Sequence, residues 1–213
     1  MRCWGSNAAT RLFAQHGLAC WGIDISKQQI EQAEPFCTRH RLNISFAVAD
    51  MRTIPHDSGS FDYVYERYSM CHLSKEGTAR AIGEMFRVLK PGGMAFLGVI
   101  SDATRPRGLL GEERAPGEFW TRERGDAETR HSVFADDEAN HLVEAWENET
   151  CVTRSSALHR AVKDLSLDEW MTWREDEPGS PTEASWKSAY AVRERWARYA
   201  HRYYILRKPA IST

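Results

Sequence analysis

The sequence predicts a single α/β domain, a mostly parallel β-sheet with helices on both faces. Three observations carry this. Short apolar segments alternate with segments of helical periodicity through roughly the first hundred residues. The apolar segments are apolar throughout rather than at every second residue, as in strands buried on both faces. Lys90-Pro91-Gly92-Gly93 separates the clearest helical stripe from an unbroken apolar run, Met94–Ile100. A cation in a last turn, then a breaker, then two residues free to adopt positive φ, is how a helix stops before a strand.

Each element follows in order. Ala9, Leu12, Phe13 and His16 fall at i, i+3, i+4, i+7 and predict a short helix, with Gly17 at its C-terminal stop. Cys20–Asp24 reads as a buried strand. Ser26 with Gln29 three residues on has capping-box spacing. Ile30, Ala33 and Cys37 stripe the helix that follows, and 43–49 is rich in Ile, Phe and Val and reads as a strand. Pro55, Asp57, Ser58 and Gly59 make a loop. Phe61–Ser69 reads as a strand, Ile82, Met85, Phe86 and Leu89 mark a helix, and Met94–Ile100 is the next strand. The rhythm then changes. Residues 104–132 are rich in Gly, Pro, Arg and Glu with little periodicity, too long for an idle connection, so a functional loop or lid is expected. Beyond it a helix is predicted over 136–146, a strand over 150–155 and a short helix over 167–173. Ala189, Val192, Trp196 and Tyr199 stripe a last helix, and 203–206 closes as a strand. The organisation expected is one domain over 1–213, with 104–132 as a lid and 157–200 as a helical insertion.

Composition narrows the function classes. The chain has 213 residues, 42% hydrophobic and 27% charged, with a formal net charge of −2, so nothing predicts bulk attraction to nucleic acid or to an anionic membrane. The longest apolar run is too short to cross a bilayer, and no basic stretch followed by an apolar one reads as a secretion signal. The five cysteines are scattered without a C-x-x-C pair, which predicts a reduced, cytoplasmic protein. His and Cys lack metal-ligand spacing, so no metal is expected. There is no G-x-S-x-G, no phosphate-binding G-x-x-x-x-G-K, no D-P-P-Y and no Pro-Cys nucleophile.

Acids at strand ends carry the chemistry. In open α/β sheets, ligands bind outside the carboxyl ends of the strands. Gly5-Ser6-Asn7 precedes the first helix, where glycine lets backbone approach a ligand. Asp24 ends a strand 19 residues later and can accept from two ribose hydroxyls; capping the next helix is its alternative role. A dinucleotide site accounts for these features as well. Asp50-Met51 adds a carboxylate able to accept from an adenine amino group and a thioether able to pack on the ring, for which a dinucleotide has no fixed need.

Phe61-Asp62-Tyr63-Val64, then His72-Leu73, then Arg87-Val88-Leu89-Lys90-Pro91-Gly92-Gly93, in this order and spacing with Asp24-Ile25 and Asp50-Met51, resembles the class I S-adenosylmethionine-dependent methyltransferases of the small-molecule type. The likeness runs from about Cys3 to Ile100. It implies a Rossmann-like, doubly wound seven-stranded sheet with the seventh strand antiparallel, 150–155 and 203–206 being the last two strands. It implies S-adenosyl-L-methionine as cofactor, held by Gly5, Asp24, Ile25, Asp50, Met51 and Arg67, the last at its methionine part. It implies methyl transfer to a small-molecule acceptor by in-line displacement. His72 is the candidate base by residue type, since imidazole titrates near neutrality; packing beside the cofactor is its alternative role. Tyr68 and Glu66 are weaker candidates. Phe119, Trp120, Arg130 and His131 are expected on a substrate lid. Trp170, Trp173, Trp186 and Trp196 are expected to build a helical cover.

The sequence departs from the family at its first motif. The three glycine positions fall on Cys3, Gly5 and Asn7. The first strand, central in the family's sheet, is expected to lack residues. Burying about five apolar residues there is worth roughly 10 kcal/mol, so a longer chain, another segment or a second subunit of a homodimer is expected to fill the position. The competing reading is a degenerate methyltransferase-like module that binds a partner without turnover; a nicotinamide dehydrogenase ranks below both.

Overall fold

The computed structural model describes residues 2–3, 8–104, 110–122, 128–157 and 198–210. In chain order the elements are β1 (Arg2–Cys3), α1 (Ala8–Gln15), β2 (Cys20–Asp24), α2 (Lys27–Arg39), β3 (Ile44–Val48), β4 (Phe61–Tyr65), a 3-10 turn (Met70–His72), α3 (Lys75–Val88) and β5 (Leu89–Ser101). They continue with β6 (Glu112–Ala115), β7 (Glu118–Arg122), β8 (Glu128–Phe134), α4 (Asp136–His141), β9 (Glu147–Ala157) and β10 (Arg198–Arg207).

Seven strands run β3-β2-β1-β4-β5-β10-β9. β1 to β5 are parallel, and β10 is antiparallel to both β5 and β9, as the resemblance implies. The central position expected to lack residues is held over two residues by Arg2–Cys3, paired with Trp21 on one side and with Val64 and Tyr65 on the other. Strand order reverses between β1 and β4, which makes that edge the switch point.

Helix placement follows from right-handed crossovers. α1 lies on one face, where Phe13 meets the Tyr65 ring edge-on at 6.2 Å. Arg11 reaches over the Phe36 ring of α2 on the same side. α3 covers the other face. Ser74 Oγ caps its first turn by accepting from the Gly77 amide at 3.0 Å. Its stripe of Ala81, Ile82, Met85 and Val88 packs against Val64, Ala95, Leu97, Val99, Tyr204 and Leu206. Full burial of side chains such as Ile82 and Met85 stabilises by about 1.5–3 kcal/mol each. The helix stops at Val88. β5 begins one residue later, with Gly92 at φ +76° and its amide donating to the Lys208 carbonyl at 2.9 Å.

Four expectations need correction. The described part of 104–132 is not a loop: β6, β7 and β8 form an antiparallel three-stranded sheet whose last strand runs to Phe134. Their alternating charges, among them Glu112, Arg114, Glu118, Arg130 and Glu128, hide the strand pattern because both flanks of the hairpin carry polar residues. Tyr199 is not on a helix but in β10. The predicted helix over 136–146 is helical only to His141, then turns to Trp146. The strand read as Phe61–Ser69 ends at Tyr65. Most of the expected helical insertion, with Trp170, Trp173, Trp186 and Trp196, lies outside the described residues. No described helix is long and apolar enough to cross a membrane.

The small sheet attaches at one place. Ile100 pairs with His201 of β10 on one side and with Val133 of β8 on the other. β8 therefore takes over the side that β4 occupies as far as Phe96. This sets the hairpin directly over the end of β4.

Candidate active site

The site is built on the carboxyl ends of β2, β3, β4 and β5 and on the start of the antiparallel β10. Asp24 closes β2 with its side chain buried. Its Oδ1 accepts from the Ser26 amide at 2.8 Å. Ser26, not Asp24, is the cap of α2, its Oγ accepting from Gln29 at 3.4 Å. Oδ2 of Asp24 accepts from no donor among the described residues. One oxygen thus fixes the orientation of the carboxylate. Ile25 beside it is 71% exposed.

Asp50 lies on the adjacent strand end, joined to Asp24 through the Ala49 amide, which donates to the Asp24 carbonyl at 2.9 Å. Both its oxygens are engaged by Arg52: Nε at 3.0 Å from each, Nη2 at 2.5 Å from Oδ2, and the Arg52 amide at 2.8 Å from Oδ1. The Arg52 hydrogen bonds hold this carboxyl below the usual range. Met51 is half-buried and packs against the main core.

β4 is followed directly by Glu66, Arg67 and Tyr68. Glu66 is only 2% exposed. Its Oε1 accepts from the amides of Ser69 at 2.6 Å and Met70 at 3.0 Å, while the buried Oε2 has no hydrogen-bond partner. Burial pushes its pKa up to about 7, against the opposing pull of the Met70, Ser69 and Gly98 amides. Sunk in the core, it cannot reach an acceptor, which removes it as a candidate base. Arg67 is exposed, its guanidinium 4.8 Å over the Tyr68 ring. Tyr68 stands at φ +67°, a region that bulky residues avoid.

Alternation along β10 puts Tyr199, His201 and Tyr203 on one face, next to Tyr68. The Tyr68 and Tyr203 hydroxyls are 2.6 Å apart, and the Tyr68 ring meets the His201 ring at 4.6 Å. Gly98 makes room for this, since a Cβ there would stand 2.8 Å from the Tyr203 ring. Burial, then the Arg67 charge, pulls His201 down to about 4, so it is neutral near pH 7. Burial holds the Tyr203 phenol well above its ordinary value. The period-two spacing of 199, 201 and 203 was the available signal for this cluster, which sequence reasoning missed.

His72 sits on the 3-10 turn beneath the hairpin. Its ring is exposed and Nδ1 lies 3.0 Å from the Arg130 carbonyl oxygen. A carbonyl only accepts, so Nδ1 carries the proton in this contact, which leaves Nε2 as the ring nitrogen outside it. The hairpin is tied to the same turn elsewhere: Ser132 Oγ donates to the Leu73 carbonyl at 2.5 Å, and the Lys75 amide donates to Glu118 at 2.7 Å. Of the expected lid residues, Phe119 is buried with Ile100, Leu110 and Val133 and anchors the hairpin. His131 is buried and meets His72 edge-on at 5.2 Å. Trp120 is half-buried, with Arg130 at 4.9 Å and Arg114 at 5.6 Å from its ring centre. Gly5 lies outside the described residues.

Seven strands in the order 3-2-1-4-5, then an antiparallel strand and an outer one, with acids ending the second and third, decide the architecture. The chain has the class I methyltransferase fold. Residues 3–93 match the methyltransferase-domain family. The chain is 37% identical over 93 residues to squalene methyltransferase 2 of Botryococcus braunii, a stretch covering 43% of this chain and 24% of that one. It is 29% identical over 109 residues to 27-O-demethylrifamycin SV methyltransferase of Amycolatopsis mediterranei, covering 50% of this chain and 39% of that enzyme. The matched stretch thus spans well under half the length of these relatives. Among solved structures, the fold is similar to a SAM-dependent methyltransferase from Methanosarcina mazei, with TM-score 0.68 and 20% identity over 98% of this chain and 92% of that one. It is also similar to the [4+2]-cyclase SpnF, with TM-score 0.63 and 19% identity over 98% and 74%.

Proposed function

We propose that the chain is an S-adenosylmethionine-dependent methyltransferase that transfers a methyl group to a small-molecule acceptor by in-line displacement. The observation that carries this is Asp24. It is buried at the end of β2, one strand from the switch point, held by one oxygen, relieved of helix capping by Ser26, and left with a second oxygen that accepts from no donor among the described residues. A carboxylate acceptor so placed fits the hydroxyl donors of a ribose. Ile25 and Met51 would flank the adenine and Asp50 would face its amino group, sharing its carboxylate with Arg52. Arg67 supplies a cation for the methionine carboxylate, and Gly5 the close backbone approach.

Bound there, the cofactor supplies an already activated methyl group. The chain's own residues hold and orient it, and the hairpin over β4 excludes water, which accounts for most of the acceleration such a displacement needs. Where the acceptor must lose a proton, His72 Nε2 takes it. One observation favours a second reading, a partner module without turnover: Asp50 is fully paired with Arg52 in this state. A thermal-shift titration with S-adenosylhomocysteine separates the two. Ligand at 100 times its Kd stabilises a binding protein by about 2.7 kcal/mol. No shift at millimolar ligand overturns the methyltransferase reading. An unchanged kcat in His72→Ala removes the imidazole from the reaction.

A further inference from the structure

Between Glu66 and the two amides it binds stand only Arg67 and Tyr68. A glutamate side chain that accepts from Ser69 at 2.6 Å and Met70 at 3.0 Å closes a short ring, and the main chain must reverse inside it. The reversal is taken up at Tyr68, at φ +67°. It throws the Tyr68 ring outward, onto His201 and beside the Tyr203 hydroxyl, with the Arg67 guanidinium on its face. The carbonyl of Tyr68 then receives the buried Cys71 thiol at 3.0 Å, which links the reversal to the turn that carries His72. For stability alone this is a poor arrangement. A left-handed tyrosine is strained, and a buried carboxyl oxygen without a partner is costly.

We propose that Glu66 is a positioning residue: its carboxyl, folded back on the Ser69 and Met70 amides, holds Tyr68 left-handed and thereby aims Arg67, Tyr68 and His72 at the crevice. What those three residues do once aimed rests on the methyltransferase reading. That they are aimed by Glu66 does not.

The test uses the thiol of Cys71 as a reporter of the turn, with Cys20 and Cys37, buried elsewhere, as controls. The full chain is treated with iodoacetamide and each site's labelling rate is read by peptide mass mapping. In Glu66→Ala the turn opens, and Cys71 labels about tenfold faster while Cys20 and Cys37 keep their rates, as local opening requires. Glu66→Gln keeps an acceptor oxygen at the same place and protects Cys71 as the wild type does. In a Tyr68→Gly background the left-handed region carries no penalty, so Glu66→Ala accelerates Cys71 labelling less. A second readout is the affinity for S-adenosylhomocysteine, expected to fall about tenfold in Glu66→Ala and to return in Glu66→Gln.

The proposal is overturned if Glu66→Ala leaves Cys71 protected, if all three cysteines open together, if glutamine fails to restore protection, or if the Tyr68→Gly background changes nothing. A wild type that binds no S-adenosylhomocysteine defeats the methyltransferase reading alone, and the labelling rates still decide the role of Glu66.

Discussion

Replacing Glu66 by glutamine is expected to stabilise the protein at alkaline pH and to change little in acid. The magnitude follows from burial. Unfolded, the carboxyl ionises near 4.5, whereas inside the protein burial raises it to about 7. Below 4.5 both states hold the proton. Between 4.5 and 7 the unfolded chain has released it while the folded chain keeps it, so stability falls as pH rises. Each pH unit of that interval costs about 1.36 kcal/mol. By pH 9 the ionised carboxylate has cost the fold about 3 kcal/mol. The contribution is thus fully present below 4.5 and is lost as pH rises through 7. Glutamine carries no proton to lose. Urea denaturation of both proteins from pH 4.5 to 9 gives the difference directly, and it should widen by about 3 kcal/mol, or roughly 6–12 °C in Tm. A difference that stays constant with pH refutes the reasoning, because it means the carboxyl is ionised in the fold throughout.

Three further outcomes are expected. His201 is buried and pulled down to about 4, so its contribution is present above 6.5 and is lost as pH falls toward 4; His201→Phe should gain on the wild type over that window in acid denaturation, and parallel curves would remove the effect. Asp24→Ala should weaken S-adenosylhomocysteine about 10- to 100-fold by calorimetry, the loss of one or two hydrogen bonds to a charged acceptor, and an unchanged Kd would defeat the ribose assignment. Asp50→Asn breaks a half-exposed pair with Arg52, so it should lower stability by no more than about 1 kcal/mol, and a larger loss would show that the pair braces the β3 loop.

The sheet was legible because its strands and helices keep separate periods: Ile82, Met85 and Phe86 cannot be read as a strand, nor Met94–Ile100 as a surface helix, although Leu89, read with the helix, already opens β5. Asp24 and Asp50 were legible because each follows an apolar strand directly. The rest depended on contacts between distant residues. Nothing local marks Glu66 as buried, since an acid at a strand end ordinarily faces water. Arg52 lies two residues from Asp50, a spacing that pairs only once the loop has turned. Strands β6 to β8 carry charges on the side that pairs across the hairpin, with Arg114 bound to Glu112 and Glu128, so their alternation looks like loop composition. The Tyr68–Tyr203 contact joins residues 135 apart in sequence.

The group that orients the His72 ring is a peptide carbonyl, that of Arg130. No side chain at position 130 is needed for it. Substitution of Arg130 would disturb Trp120 and leave the imidazole as it was, so side-chain scanning is blind to this contact. Only what moves the β8 main chain, such as a proline or a register slip, would reach it. The hairpin's side chains are in that respect free to drift, while its path over β4 is not.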